Sequence, residues 1–442
     1  MSKRMRSGAG LWAARGAALV LYLWLAGGGG VRAQVASAPP PVVNPKAVAI
    51  AAATDEVLRE TSDVRKLAVL RPVKSGAQSR AEIERMLIKN LDEESTPEEL
   101  RASELALKKF GLVPADFELR PFYIRLLTEQ VMGYYDPKTQ VFYLADWVGL
   151  DEQEPVMAHE LTHALQDQHF NLRRFEHWPK GDSDAELAAH ALVEGDAMLA
   201  MSLYVVRDLK RAVAMMKSIS GGGSTEQIDR APRVLRESLL FPYERGFGWV
   251  QQLYGRGGWA QVSQAFTGLP QSTEQIMHVE KYFAREAPAH VGPPEVARAL
   301  GAGWRRVDAD VNGEWGYYQI LAEYLSDNAE AERAAAGWGG DRYVVYEQPQ
   351  TGRVLIAQST AWDTEQDARE FYDAYARRTA ARYKDAQPDP RPTDAAQTRK
   401  AWRTSEGLVV MQQRGARVVI LEGLPEKANV GALLKTLLPA GK

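Results

Sequence analysis

His159-Glu160-Leu161-Thr162-His163 constrains this chain more than any other stretch of its sequence. Residues four apart in an α-helix project from one face, so as a helix this pentapeptide can offer two imidazoles to one metal ion. The surrounding residues suit a helix: from Pro155 to about Gln168, Ala158, Leu161 and Leu165 fall on one apolar stripe. Glu160 is displaced around the helix axis, where its carboxylate can face the open side of the metal and take a proton from water. Zn2+ suits such ligands; it needs a third protein ligand and keeps a fourth position for water or substrate. It also lowers the pKa of bound water towards about 7, giving a nucleophile at neutral pH. His159 and His163 are therefore expected as zinc ligands, with Glu160 as the catalytic base.

Two residues compete for the third ligand position. His169 falls where the longer H-E-x-x-H-x-x-G-x-x-H pattern has its third histidine. Gln166, however, stands where that pattern has glycine, and glutamine does not supply the backbone freedom that swings the chain back. Glu194, in Ala191-Leu192-Val193-Glu194-Gly195-Asp196-Ala197, is the better candidate. Its helix is expected to start at Ser183, in a capping box with Glu186, and to run towards Lys210. Ala191, Gly195 and Ala197 are small enough to let that helix approach the histidine helix closely. Asp196 is a candidate to orient one of the ligand histidines.

His159 to Gln168, followed by Glu194-Gly195-Asp196-Ala197, resembles a family of exported bacterial zinc-metallopeptidase-like proteins. These are similar to the gluzincins, in which a glutamate on a following helix completes the two-histidine site. Gly133-Tyr134-Tyr135-Asp136-Pro137, Phe241-Pro242-Tyr243 and Ser272-Thr273-Glu274-Gln275-Ile276 extend the resemblance over roughly 120–285. It implies a zincin-like catalytic fold, Glu194 as third ligand and a peptide or protein substrate. One departure stands out: the thermolysin-type E-x-x-x-D pattern would place aspartate at 198, where this chain has Met198. Such an enzyme needs a donor for the oxyanion of its tetrahedral intermediate. His278 and Tyr243, the latter beside Arg245, are the candidate catalytic donors. Gln140–Leu144 would be the sheet edge that holds an extended peptide.

The rest of the chain fixes the setting. Lys3, Arg4, Arg6 and Arg15 precede an apolar run from Ala17 to Ala26, and Val31-Arg32-Ala33 offers small residues at a cleavage site. Residues 1–33 read as a signal peptide, which makes the protein exported, periplasmic or extracellular; an uncleaved N-terminal membrane anchor is the alternative. No stable membrane span is expected after signal removal. There is no cysteine, so neither disulfides nor a lipid-anchor cysteine are available. The 54 basic and 57 acidic side chains leave no basic excess, and no nucleic-acid partner is expected.

Residues 34–54, rich in Ala and Pro, read as a linker. Residues 55–300 read as the metallohydrolase domain: a helical region to about Gln130, a hairpin of Val131–Tyr135 and Gln140–Leu144, then further helices. Beyond 301, strand-like Tyr343–Glu347, Arg353–Ser359, Leu408–Gln412 and Arg417–Leu421 surround a helix capped by Asp363 and Gln366. The fold class is thus α+β: a mainly helical catalytic domain with a small sheet, plus a smaller C-terminal α+β domain, 301–442, with no catalytic part. Besides a peptidase, two readings stay open: an exported zinc-binding scaffold without turnover, and a zinc hydrolase of other amides or esters. Glu160 favours catalysis over the scaffold, because a structural site does not need it. N-terminal sequencing of the exported protein should find a chain beginning near Gln34; an intact N-terminus on membrane-bound protein would support the anchor.

Overall fold

A computed structural model describes residues 19–21, 45–147, 149–176, 178–220, 226–389 and 398–438. They form a mainly helical body around a small sheet, followed by a seven-stranded antiparallel sheet with its own helices. This is the α+β arrangement the patterning requires. Most of the leader and linker fall outside the described residues. Leu19–Leu21 pairs antiparallel with the strand Val131–Asp136, and the first helix, Pro45–Arg65, begins inside the stretch read as a linker. That helix is part of the core, with Ile50 and Thr54 buried.

The hairpin forms as its Asp-Pro turn demands, pairing Gly133 with Leu144 and Asp136 with Val141. Lys74–Gln78, which lies in the region expected to be helical, instead adds a parallel strand to the other side of Val141–Ala145. Val141–Ala145 is therefore internal, and the expectation that Gln140–Leu144 is an edge is corrected. The outer strand of the hairpin is Val131–Asp136. Lys-Ser-Gly-Ala-Gln has neither alternation nor β-branched residues, so only its tertiary partners make it a strand.

Two long helices carry the site, Leu150–Phe170 and Ser183–Val206. The second is long and apolar enough to cross a membrane by composition, but 72% of that window is buried inside the protein, as befits a core helix. Its N-cap is Asp182, which accepts from the Ala185 N–H at 3.2 Å, not Ser183. Ser183 instead donates its N–H and hydroxyl to Asp310, at 2.9 and 2.5 Å. Asp310 ends the strand Arg305–Asp310, so the C-terminal sheet sets a carboxylate at the positive end of this helix.

The helix Ser183–Val206 crosses Arg233–Ala265 backbone against backbone. A Cβ on Gly195 would lie 2.3 Å from the carbonyl of Gly246, and one on Gly246 would lie 2.2 Å from the Ala191 oxygen. Gly195 and the Ala191 backbone thus serve this crossing as well.

In the C-terminal sheet the strands run in the order Arg305–Asp310, Trp338–Gln348, Arg353–Trp362, Arg417–Leu424, Gly407–Arg414, Thr398–Thr404, Gln387–Pro388. The helix Glu365–Arg382 lies against it and buries Phe371, Tyr372 and Tyr375; its capping box is Thr364 with Asp367, one residue on from the expected pair. Trp315, Trp338 and Trp362 are buried core aromatics. One hydrophobic core runs without a break from Ile50 to Ile420, so residues after 301 share their interior with the metal-site helices.

The helix crossing gives a stability prediction with an internal control. Gly246→Ala should be destabilised by about 1–3 kcal/mol through overpacking. Gly248→Ala, two residues on, meets nothing within 4 Å and should be stabilised by about 0.5–1 kcal/mol, since alanine loses less backbone entropy in a helix. Urea unfolding midpoints read both; equal midpoints for the two variants would contradict the crossing.

Candidate metal centre

The helix Leu150–Phe170 brings His159 and His163 together as their spacing requires, with ring centroids 4.7 Å apart. Glu194 reaches them from the neighbouring helix. His159 Nε2 lies 3.1 Å from Glu194 Oε2 and 3.0 Å from His163 Nε2, and His163 Nε2 lies 3.5 Å from the same carboxylate oxygen. Ligands about 2.0–2.1 Å from a tetrahedral zinc sit about 3.3–3.4 Å from one another, so these atoms are spaced to hold the ion. His159, His163 and Glu194 form a buried group suited to a metal, the HExxH-type constellation of a gluzincin-like site.

Glu160 is fully buried beside this group. Its Oε2 accepts the backbone N–H of Tyr135 at 2.8 Å, while its Oε1 has no hydrogen-bond partner. The Gly133-Tyr134-Tyr135 strand therefore holds one oxygen of the base and leaves the other free. The cluster matches the geometry of a zinc-dependent hydrolase that activates water, with Glu160 as general base.

The electrostatics show what the cluster lacks. Burial pushes the Glu160 carboxyl well above the usual carboxylate range. Burial also works against charge on His163 and Glu194. Their mutual attraction prevails, raising His163 to about 9 and, with the His159 contact, bringing Glu194 down to about 2. Without a metal, a proton on His163 thus supplies the positive charge that the buried carboxylates require. A metal ion must displace it.

Behind the ligands runs a chain of buried polar groups. His163 Nδ1 lies 2.8 Å from Gln166 Oε1, an acceptor, so the ring carries its proton on Nδ1 and turns Nε2 towards the metal position. Gln166 is fixed in turn, donating Nε2–H to Asp196 Oδ2 at 2.9 Å and to the Val193 carbonyl at 3.0 Å. Asp196 pairs with Arg65 of the first helix at 2.5 Å, both side chains fully buried, and the Arg65 guanidinium lies 4.5 Å from the centre of the Trp259 ring. Asp196 therefore orients a ligand histidine, as its position suggested, but through Gln166.

The structure also places the other candidates. His169 is not a ligand: its Nε2 lies 2.7 Å from the Ala68 carbonyl, because the helix continues past Gln166 and carries the ring outwards. Tyr243, on Arg233–Ala265, sits beside the site, its ring centroid 6.3 Å from that of His159. His278 pairs with the buried Glu314 at 2.8 Å, which raises its pKa. Gln166 and Arg65 were missed as functional residues. Gln166 had a signal, one turn beyond a ligand histidine; Arg65, roughly a hundred residues upstream, had none.

Residues 299–434 match a family model described as a domain of unknown function (DUF8575). No curated protein and no solved structure matches the chain.

The cluster predicts about one zinc per chain, lost in His159→Ala and in His163→Ala. Gln166→Leu should keep the ligands but weaken zinc affinity about 10–100-fold by freeing the His163 ring. Because His163 holds its proton up to about pH 9 in the metal-free site, apparent zinc affinity should rise about ninefold from pH 7 to pH 8. Competition with a chromophoric chelator reads all three effects, and a pH-independent affinity would contradict the charge assignment.

Proposed function

We propose that the chain is an exported zinc-dependent peptidase whose base is Glu160. The observation that carries this reading is the free Oε1 of Glu160, buried beside the ligand atoms of His159, His163 and Glu194. A site built only to hold metal gains nothing from an extra buried carboxylate, whose desolvation is unfavourable.

His159, His163 and Glu194 would hold the ion. When bound, zinc supplies Lewis acidity, polarising a carbonyl and lowering the pKa of water. Glu160 takes the proton of the attacking water and delivers it to the leaving amine nitrogen. Tyr135, through its backbone N–H, fixes the direction from which Glu160 acts. Of the two donors expected for the oxyanion, Tyr243 is the one beside a ligand histidine, and its phenol suits that role. His278 is engaged by Glu314.

Peptides are favoured as substrates because the strand next to Glu160 is the outer strand of the hairpin. In the structure Leu19–Leu21 pairs along it, an example of extended backbone docking on this strand. The signal-like N-terminus supports an exported protein, and the C-terminal sheet a supporting, non-catalytic role.

Glu160→Gln has almost the same shape but cannot accept the proton. It should retain zinc and fold while losing about a hundredfold or more in hydrolysis of an unstructured protein that the wild type cleaves in a chelator-sensitive manner. Equal rates would overturn the role of Glu160. A wild type that holds zinc tightly and cleaves nothing across a broad panel would establish the scaffold reading instead.

A further inference from the structure

The helix Ser183–Val206 is deeply enclosed where it carries the metal ligand Glu194. Every residue from Ser183 to Ala197 on it is buried except His190. His190 precedes Glu194 by four residues, so the two side chains share a face with their Cβ atoms about 5–6 Å apart. The next position on this face, Met198, is also only partly buried. Between Ser183 and Met201, the two residues that reach the surface, His190 and Met198, therefore flank the buried Glu194 on one face.

Along this face Glu194 has an imidazole on one side and a thioether on the other. His190 makes no hydrogen bond among the described residues, whereas the site's other histidines, His159 and His163, are occupied with Glu194 and each other. Burial depresses its basicity, and His163 adds to this, while Glu194 opposes it. Charged or neutral, the ring carries at least one N–H, and with no partner among the described residues it is a hydrogen-bond donor one turn from a metal ligand.

We propose that His190 is a further catalytic residue, which donates a hydrogen bond to the oxyanion formed when water adds to the substrate carbonyl. This rests on the hydrolase reading above and assigns a role there to a histidine outside the motif. The bond balance is simple. Water oxygen bonds to the carbonyl carbon, the carbonyl π pair becomes the oxyanion, and Glu160 accepts the proton released. His190 keeps its own proton and shares it with the oxyanion. Met198, on the opposite side of Glu194, offers an apolar, adaptable contact for a neighbouring substrate side chain.

The test uses the full zinc-loaded protein and a phosphonamidate dipeptide, whose tetrahedral phosphoryl oxygen imitates the oxyanion. Affinity is measured by calorimetry and zinc content by mass spectrometry, for wild type, His190→Ala and His190→Gln. The expected result is one zinc per chain in all three and phosphonamidate binding about a hundredfold weaker in His190→Ala, the usual size of a lost oxyanion donor. His190→Gln, which retains an N–H donor, should recover part of the loss. Unchanged affinity in zinc-loaded His190→Ala overturns the assignment and leaves the hydrolase reading intact. Loss of zinc in both variants also overturns it, because His190 would then belong to the metal's support. A zinc-loaded wild type that binds no phosphonamidate overturns both readings together.

Discussion

Two imidazoles and two carboxylates, His159, His163, Glu160 and Glu194, are at most 4% exposed in the middle of a hydrophobic core. That arrangement is the constraint on which the rest depends. An uncompensated buried carboxylate is penalised by several kcal/mol, so the cluster needs a positive charge. A proton on His163 supplies one when no metal is present; a zinc ion would supply two and satisfy three ligand atoms at once. Surrounding elements contribute geometric restraints, Tyr135 on Glu160 and Gln166 on His163, while the helix that crosses at Gly246 carries Tyr243.

The C-terminal part belongs to this scheme through the ends of helices. Asp310 accepts from Ser183 at the start of the glutamate helix, and Asp184 in that helix accepts from the Thr273 N–H at 3.1 Å. Asp341 accepts from the Asn312 and Gly313 N–H groups at 3.1 and 3.0 Å, at the start of Gly313–Ala322. Buried aspartates thus tie helix N-termini to other elements, over as many as 127 residues for Asp310 and Ser183, by accepting N–H groups that lack a partner within the helix. The matched family model begins at 299, yet the packing it contributes reaches the helix that carries Glu194.

The ligand set was legible because helical periodicity is local. His159, Glu160 and His163 follow from a spacing, and Glu194 from a glutamate set among small apolar residues together with a family resemblance. The hairpin was legible for the same reason, as alternating β-prone runs around an Asp-Pro turn. What could not be read was set by long-range partners. Lys74–Gln78 becomes a strand only because Val141–Ala145 offers an open side. Arg65 enters the site as the counter-charge of Asp196, and Gly195 meets Gly246 of a later helix, a contact that no local pattern announces. His190 carries no motif; its meaning lies in being the one accessible residue of a buried run.

The central claim is that His159, His163 and Glu194 hold zinc with one position left open. X-ray absorption at the zinc edge, on the purified protein with about one zinc per chain, tests this most directly. The account predicts four light scatterers at about 2.0–2.1 Å, two of them with the outer-shell signature of imidazole, and one ligand that exchanges when a small zinc-binding anion is added. Three imidazoles, or a closed set of four protein ligands that no anion perturbs, would contradict it.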